Sequence, residues 1–482
     1  VSATRFEASL AELRDALFPL GEDAWAVGGG VRDALLGRPV ADVDVAIAHD
    51  AQAAATALAR SRGAQRFSLS REFGSWRVHG GRLPFDVDIT PIQGESLDED
   101  LGRRDFTVNA IAAPVIGGPI VDPLGGIRDL KGRRMRLVSS SALSADPVRL
   151  LRLARQAHQL GFWIDEEAMS RAREDASSLW SAPGERLRDE LGRILRLDAA
   201  AEAIVALDRL GVLGALVPEL EQGRGLEQSP YHHRDVLGHT LEVIEGVATL
   251  NANPELVFRS RSDAVARVLA EPLADDLTHG QALLLVAIMH DAAKPATRAV
   301  QPDGRVTFMR HDIEGAELAD RLCRSLKTSN RLREFVVHCV RWHLPLGFLV
   351  HHQPLSLRRM FRYLKLTAPY EVDIIVLSAA DRLATQGPRV RQNQIDRHLD
   401  VARQMLAADL ELKSRDLRPL IPGDELAAHL GRDPGPWLGD VLDALEEEQA
   451  VGAISTPDGA VTFAERWLGG GVPERRLFPS RH

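Results

Sequence analysis

Trp25-Ala26-Val27-Gly28-Gly29-Gly30-Val31-Arg32-Asp33, followed a short way on by Asp42-Val43-Asp44, is the stretch whose reading decides the fold. A β-rich run ends in three glycines and a helical run begins. Glycines there let the backbone pass close to a bulky anion while a helix N-terminus aims its N–H groups at it. Arg32 adds a positive charge beside the same anion. Asp42 and Asp44 lie two apart in a strand-like run, so both carboxylates leave one face. Two hard oxygen ligands together suit Mg²⁺, and paired divalent ions are what phosphoryl transfer uses to activate a hydroxyl and steady a leaving phosphate. Alone, a triple glycine is an ordinary turn and Asp-x-Asp an ordinary solvated edge. Their conjunction is what points to a phosphate-handling site.

Outward from this core, short β-rich runs (Trp25–Val27, Val43–Ile47, Trp76–Val78, Phe85–Ile89, Arg136–Val138) alternate with helical ones (Val31–Leu36, Ala51–Arg62, Leu97–Asp100), which predicts a compact α/β head. Asp88, on the Phe85–Ile89 run, is placed to supply a third carboxylate. After Asp146 the strand signals fade, and Leu150, Leu151, Leu153, Ala154, Ala157 and Leu160 recur at helical spacing up to Gly161. Punctuation at Ser181-Ala182-Pro183-Gly184, Gly223–Pro230, Gly387-Pro388 and Pro419–Gly423 divides the rest. The fold expected is an α/β head followed by all-α neck, histidine-rich and tail domains, with boundaries at 1–145, 146–225, 226–392 and 393–482.

The chain has 482 residues, long enough for about three or four cores. Apolar residues make up 45% and charged residues 26%, the balance of a globular protein. Cys323 and Cys339 are the two cysteines, which leaves no disulfide framework and fits a reducing cytoplasm. No apolar run reaches the length of a membrane span, and the first residues carry no basic-then-apolar signal, so export and membrane anchoring are not expected. The net charge of −9 by itself argues against a nucleic-acid partner. The local distribution argues the other way: Arg128, Lys131, Arg133, Arg134, Arg136, Arg149, Arg152 and Arg155 are opposed only by Asp129 and Asp146. A solvated helix face is the plain alternative for that run.

The motifs resemble those of class II tRNA nucleotidyltransferases and bacterial poly(A) polymerases. In that family Gly-Gly-x-Val-Arg-Asp, Leu-Leu-Gly and Asp-x-Asp stand in this order, as do Gly28–Asp33, Leu35-Leu36-Gly37 and Asp42-Val43-Asp44 here. The likeness continues through Arg103-Arg104-Asp105-Phe106-Thr107-Val108-Asn109, Asp122-Pro123 and Asp146-Pro147-Val148-Arg149-Leu150-Leu151-Arg152. It implies that Gly29, Arg32 and Arg104 contact an incoming nucleoside triphosphate and that Asp42 and Asp44 bind Mg²⁺, with Asp88 as third carboxylate. It further implies that Asp146 and Arg149 read the base. A carboxylate accepts from the exocyclic amine of cytosine or adenine and an arginine donates to the neighbouring ring acceptor, which leaves uracil and guanine mismatched. Arg152 and Arg155 follow at steps of three on the same helix face, toward the triphosphate or the RNA end.

The function implied is addition of C, C and the closing A to tRNA 3′ ends from CTP and ATP, with pyrophosphate released. Two departures qualify the match: Ala145 stands where the family usually has glutamate, and the mobile loop expected between Asp88 and Leu97 is absent, with Gln93 where an arginine is expected. Because the resemblance links that loop to the switch from C to A, an enzyme adding only C-C is the first alternative. A poly(A) polymerase is the second, opposed by the acidic helix around Glu446–Glu448 where a basic extension is usual.

His239, His290-Asp291, His311, His343 and Asp381 resemble the metal ligands of the HD phosphohydrolase superfamily. His239, His290, Asp291 and Asp381 match the core set, and His311 and His343 the positions of a second ion. The resemblance implies a divalent transition metal whose bound water attacks phosphate esters, so an RNA-end phosphohydrolase is the third alternative. Here the usual His-Asp-x-Gly-Lys reads His290-Asp291-Ala292-Ala293-Lys294. His232, His233, His351 and His352 read as loop residues. The tail segment Pro419–Glu425 with Pro434-Gly435-Pro436 resembles the tRNA-holding C-terminal region of the same enzymes, where duplex RNA is gripped by shape. The sequence names no protein partner.

Overall fold

The computed structural model describes residues 11–72, 74–415 and 418–470. The chain divides into two compact units, Val1–Leu216 and Val217–His482.

The first unit is built on a six-stranded mixed sheet in the order β3-β4-β5-β2-β1-β6. The strands are β1 (Ala24–Val27), β2 (Asp42–Ile47), β3 (Gln65–Ser70), β4 (Ser75–His79), β5 (Asp86–Pro91) and β6 (Ala112–Pro114). β2 and β5 run parallel in the centre, pairing Asp44 with Asp88. Between β1 and β2 lies helix α1 (Gly29–Leu36), and between β2 and β3 helix α2 (Ala51–Arg62). α2 starts where the Asp50 carboxylate accepts from the Gln52 and Ala53 N–H groups and stops at Gly63, φ +66°. Its apolar stripe of Ala51, Ala54, Ala55, Leu58 and Ala59 is buried. Helix α3 (Leu97–Gly102) closes one face, with Leu101, Val27, Ala46, Ala110 and Ala112 forming a core cluster beneath it.

Two strands escaped the sequence pattern. β3 lies at the sheet edge, exposed along nearly its whole length, so no buried face marks it. β6 is only Ala112–Pro114. Arg136–Val138, expected as a strand, is not one: Leu137 makes an isolated bridge to Phe106, and only Arg134–Met135 pairs, with Trp163–Ile164.

Helix α4 (Val148–Leu160) buries Leu150, Leu151, Leu153, Ala154 and Ala157, ends at Gly161 with φ +69°, and packs on helix α5 (Gly184–Leu195). Truncating Leu153, fully enclosed here, costs about 2–5 kcal/mol by leaving a cavity. The opposite face of α4 carries Arg149, Arg152 and Arg155. The basic run does not form one surface. Arg136 is tied to Asp129 and Arg134 to Asp165, while Lys131 and Arg133 border a separate apolar groove with Leu36 and Phe162.

The second unit is mainly helical. At its centre α7 (His279–Met289) is buried on every side, as a helix apolar all round must be. Around it stand α6 (Val236–Ala252), α8 (His311–Ser325), α9 (Asn330–Arg341) and α11 (Glu371–Ala384), and α10 (Leu357–Thr367) packs on α11. Two short ribbons break the all-helical expectation, Pro272–Ala274 with Leu277–Thr278 and Arg298–Val300 with Val306–Phe308. The acidic run of helix α12 (Pro436–Ala450) is not free: Glu447 pairs with Arg358 and Arg362, Glu448 with Arg358, and Glu446 with Lys365, all from α10. Among the described residues, no helix is long and apolar enough to cross a membrane.

Candidate active site

The glycine run works by close approach. Gly28 has φ +74°, and a Cβ on it would lie 2.9 Å from the Asp44 carboxylate and 3.1 Å from the Arg104 guanidinium. A Cβ on Gly30 would meet the Asp42 carbonyl at 2.9 Å. The sequence therefore packs the loop directly against the β2 aspartates. The result is a cavity of about 730 Å³ lined by Gly28, Gly29, Asp42, Asp44 and Asp105 and by eight arginines: Arg32, Arg38, Arg104, Arg149, Arg152, Arg155, Arg193 and Arg196.

Asp42 and Asp44 face this cavity on alternate positions of β2. Burial of the carboxylate raises Asp44 to about 6; Arg104 opposes the shift, while Asp42, Asp88 and Asp105 add to it. Such a crowd of carboxylates is relieved by a divalent cation, so the residues present fit one. Asp88 stands beside Asp44 in the ladder but does not line the cavity: Arg77 grips it with two hydrogen bonds of 2.6 Å.

Of the expected triphosphate contacts, Gly29 and Arg104 are open to the cavity. Arg104 uses Nε and Nη2 on Asp100 and leaves Nη1 toward Gly28. Arg32 also lines the cavity, yet it is buried and committed, donating to both oxygens of Asp33 and to the Asn109 side chain at 2.8 Å. Its observed work is to brace the loop.

Arg149 donates Nη1 to the Arg104 and Ala142 carbonyls and Nη2 to the Arg103 carbonyl, which fixes the guanidinium and leaves Nε buried and without a partner. The Oδ1 of Asp146 is likewise buried and without a partner. Asp146 sits next to Arg149, with Oδ2 at 3.9 Å from Nε, but off the cavity wall itself. A donor and an acceptor left unpaired side by side are costly unless a ligand satisfies them.

Arg152 and Arg155 line the cavity as expected, each tied to a carboxylate. Arg152 donates to Asp105 at 3.1 Å, and Arg155 is paired with the buried Glu190 of α5. Burial pushes Asp105 up, but Arg152 and the Asn109 amide outweigh it and hold the carboxyl below its usual range. Asp105, Asn109, Gln156, Glu190, Arg193 and Arg196 had no assigned role in the sequence reading. Asp105 and Asn109 lie inside a quoted motif, whereas Glu190 and its partners are brought together only by the packing of α4 on α5.

The second unit brings all six metal-type residues together. His239, His290 and Asp381 form one set and Asp291, His311 and His343 another, each with ligand atoms within 4.8 Å of one another. His290, His311 and His343 each turn Nδ1 to a main-chain carbonyl, of Ala287, Phe308 and Val340, which aims Nε2 inward. The Nε2 atoms of His239, His290 and His311 are buried without a hydrogen bond. This is the outer-shell arrangement that orients imidazole ligands, and it fits a metal. Burial pulls His290 down, but Asp291 and Asp381 outweigh it and hold it above its usual range. His343 is pushed down to about 3 by burial, helped by His311 and His290. Ala293, in place of the superfamily's glycine, is fully buried without displacing Lys294, whose ammonium reaches Asp291 at 2.6 Å. His232, read as a loop residue, is in a turn but packs edge-on against His239 at 5.0 Å.

Residues 24–136 match the family described as poly A polymerase head domain, residues 161–223 that described as probable RNA and SrmB-binding site of polymerase A, and residues 307–464 that described as tRNA nucleotidyltransferase domain 2. An A-adding tRNA nucleotidyltransferase of Deinococcus radiodurans is 36% identical, over 94% of this chain and 98% of its own. A CC-adding tRNA nucleotidyltransferase of Thermus thermophilus is 34% identical, over 93% of this chain and 94% of its own. A solved structure of the Thermotoga maritima CCA-adding enzyme with tRNA superposes with a TM-score of 0.61 at 19% identity, covering 97% of this chain and 96% of that one.

Proposed function

The chain belongs to the tRNA nucleotidyltransferase family, and from that premise we propose that it extends tRNA 3′ ends one nucleotide at a time from CTP and ATP in the cavity beside β2. The observation that carries the reading is the unpaired donor of Arg149 next to the unpaired acceptor of Asp146, in a molecule whose Asp42 and Asp44 face the adjoining cavity. The attacking 3′ oxygen forms a bond to the α-phosphorus as the bond from that phosphorus to the β-phosphate oxygen breaks, and pyrophosphate leaves. Asp42 and Asp44 would hold divalent ions, Mg²⁺ in our reading, that lower the charge on both oxygens. Gly28 and Gly29 let the triphosphate approach the backbone. Arg104 points a free donor toward it. Arg152 and Arg155 keep positive charge on the wall where the RNA end and the phosphates meet. Asp146 Oδ1 accepts the exocyclic amine of C or A, and Arg149 Nε donates to the adjacent ring nitrogen. We assign residues 1–145 to catalysis, 146–225 to base reading and RNA, 226–392 to the histidine cluster, and 393–482 to the tRNA body.

One feature favours a second reading, in which the chain completes only part of the triplet. The connection from β5 to α3 is only residues 92–96, and it is fastened: the Gln93 N–H donates to Asp100 at 3.0 Å and the Glu95 N–H to Glu99 at 2.9 Å. Gly94, at φ +111°, closes against the Glu99 carboxylate. Both full-length relatives named above carry out partial reactions, one A and one C-C. Incorporation on tRNA ending at the discriminator base and on tRNA ending in C-C, with CTP and ATP separately and together, decides it. Conversion of the first substrate to a full C-C-A end rejects the partial reading.

For the histidine cluster we propose a resident divalent transition metal and hydrolysis of phosphate esters at damaged RNA ends. Metal analysis and hydrolysis of a 2′,3′-cyclic phosphate, set against a variant carrying both His290→Ala and Asp291→Ala, test it. Equal metal content and equal hydrolysis in the two proteins reject it.

A further inference from the structure

Arg186, in the first turn of α5, donates Nη2 to Asp146 Oδ2 at 2.8 Å. That contact joins α5 to the start of α4, and it concerns the oxygen of Asp146 that would otherwise turn toward Arg149. Oδ2 already stands 3.9 Å from Arg149 Nε, just beyond hydrogen-bond range. The remaining Arg149 donors are fixed on three main-chain carbonyls, so the guanidinium cannot swing away. Only the carboxylate is free to move. Were Asp146 to rotate by a small angle, it would pair with Arg149 and consume the acceptor and the donor together. A closed Asp146–Arg149 pair presents nothing for a base to match.

We infer that Arg186 is a specificity-positioning residue: by holding Oδ2 of Asp146, it keeps Oδ1 and the Arg149 Nε apart and unpaired, as two separate reading points for the incoming base. The inference rests on the base-reading role proposed above for Asp146 and Arg149. Arg186 does not line the cavity; it acts through Asp146. Its side chain is half exposed, so its hold is that of a charged hydrogen bond weakened by solvent. The consequence is a loss of discrimination and not a loss of chemistry.

The test compares single-nucleotide incorporation from CTP, ATP, UTP and GTP by the wild-type chain, Arg186→Ala, Arg186→Lys, Asp146→Ala and the double variant Asp146→Ala/Arg186→Ala, with thermal unfolding as the check on folding. Arg186→Ala is expected to raise KM for the preferred nucleotide, leave kcat nearly constant, and lower its preference over UTP by about threefold to tenfold. Arg186→Lys restores part of that preference. In the Asp146→Ala background, removing Arg186 changes the preference no further. If Asp146→Ala lowers the preference and Arg186→Ala does not, the inference is overturned while base reading stands. If Arg186→Ala slows all four nucleotides equally, Arg186 is a structural or RNA contact and the inference is likewise overturned. If Asp146→Ala leaves the preference intact, base reading itself falls and the inference with it.

Discussion

The head cavity and the histidine cluster are two gatherings of ligand-type side chains, and they differ in how much of each is finished before anything binds. In the cluster, imidazole orientation is set in advance: three Nδ1 atoms are spent on main-chain carbonyls, and the buried Nε2 atoms of His239 and His290 face Asp381 and Asp291 at 3.0 and 3.1 Å. Four imidazoles among the donors suit a transition metal, and burial of five of the six donors suits an ion that stays. In the head, the donors are two carboxylates facing an open cavity, with eight arginines around them, four of which pair with Asp105, Glu190 or Asp100. That arrangement suits an ion that arrives with a triphosphate and leaves with pyrophosphate. The contrast teaches that exchangeable and resident sites differ less in ligand number than in whether the second layer is already locked.

Four changes break or sharpen this contrast, in falling order of effect. Replacing Asp42 and Asp44 together by Asn should lower nucleotide incorporation by at least about a thousandfold while leaving metal bound to the second unit unchanged; quantitative incorporation and metal analysis on one preparation read both. The His290→Ala/Asp291→Ala variant should do the opposite, losing the resident metal and any phosphate-ester hydrolysis with incorporation within about twofold of wild type. An incorporation rate that falls with the lost metal would join the two sites and undo the contrast. Glu190→Gln leaves Arg155 without its carboxylate in a half-enclosed position and should cost about 1–3 kcal/mol of stability, read as a lower midpoint in urea. The smallest effect is on pH. Asp44 is raised to about 6 because its carboxylate is buried among other carboxylates, so the proton competes with the ion below that value. Apparent affinity for Mn²⁺, used as a probe in the head, should fall as pH drops through about 6 and level off above 7. Flat affinity from pH 5 to 8 would place the ion elsewhere.

Much of the head was legible because its chemistry lies in contiguous motifs. Gly28–Asp33 and Asp42-Val43-Asp44 each fix a turn and a strand within a few residues, and the structure sets them in contact. The six cluster residues were legible only as an ordered set, through the ligand pattern they resemble, and the fold brings them together. What could not be read was long-range pairing. Arg32 reads as a triphosphate contact from its place after the glycines, and its pairing with Asn109 and Asp33 has no local signal. Asp88 reads as a third carboxylate from its strand, and its pairing with cross-strand Arg77 has none either. Glu190 and Arg186 carry no local signal at all, since each matters only through a distant partner, Arg155 on α4 and Asp146 just before it. Edge strand β3 was missed for a related reason: a strand exposed on both faces shows no alternation.

The central claim, that protein side chains beside a carboxylate-lined cavity choose the nucleotide added to a tRNA 3′ end, is tested most directly by one assay. Purified chain with Mg²⁺ is given tRNA lacking part or all of its terminal triplet and each of the four nucleoside triphosphates in turn. Incorporation of C, of A, or of both in turn is expected, according to where the tRNA ends, with UTP and GTP disfavoured by about a hundredfold or more. Equal use of all four triphosphates, or no incorporation from any of them, would contradict it.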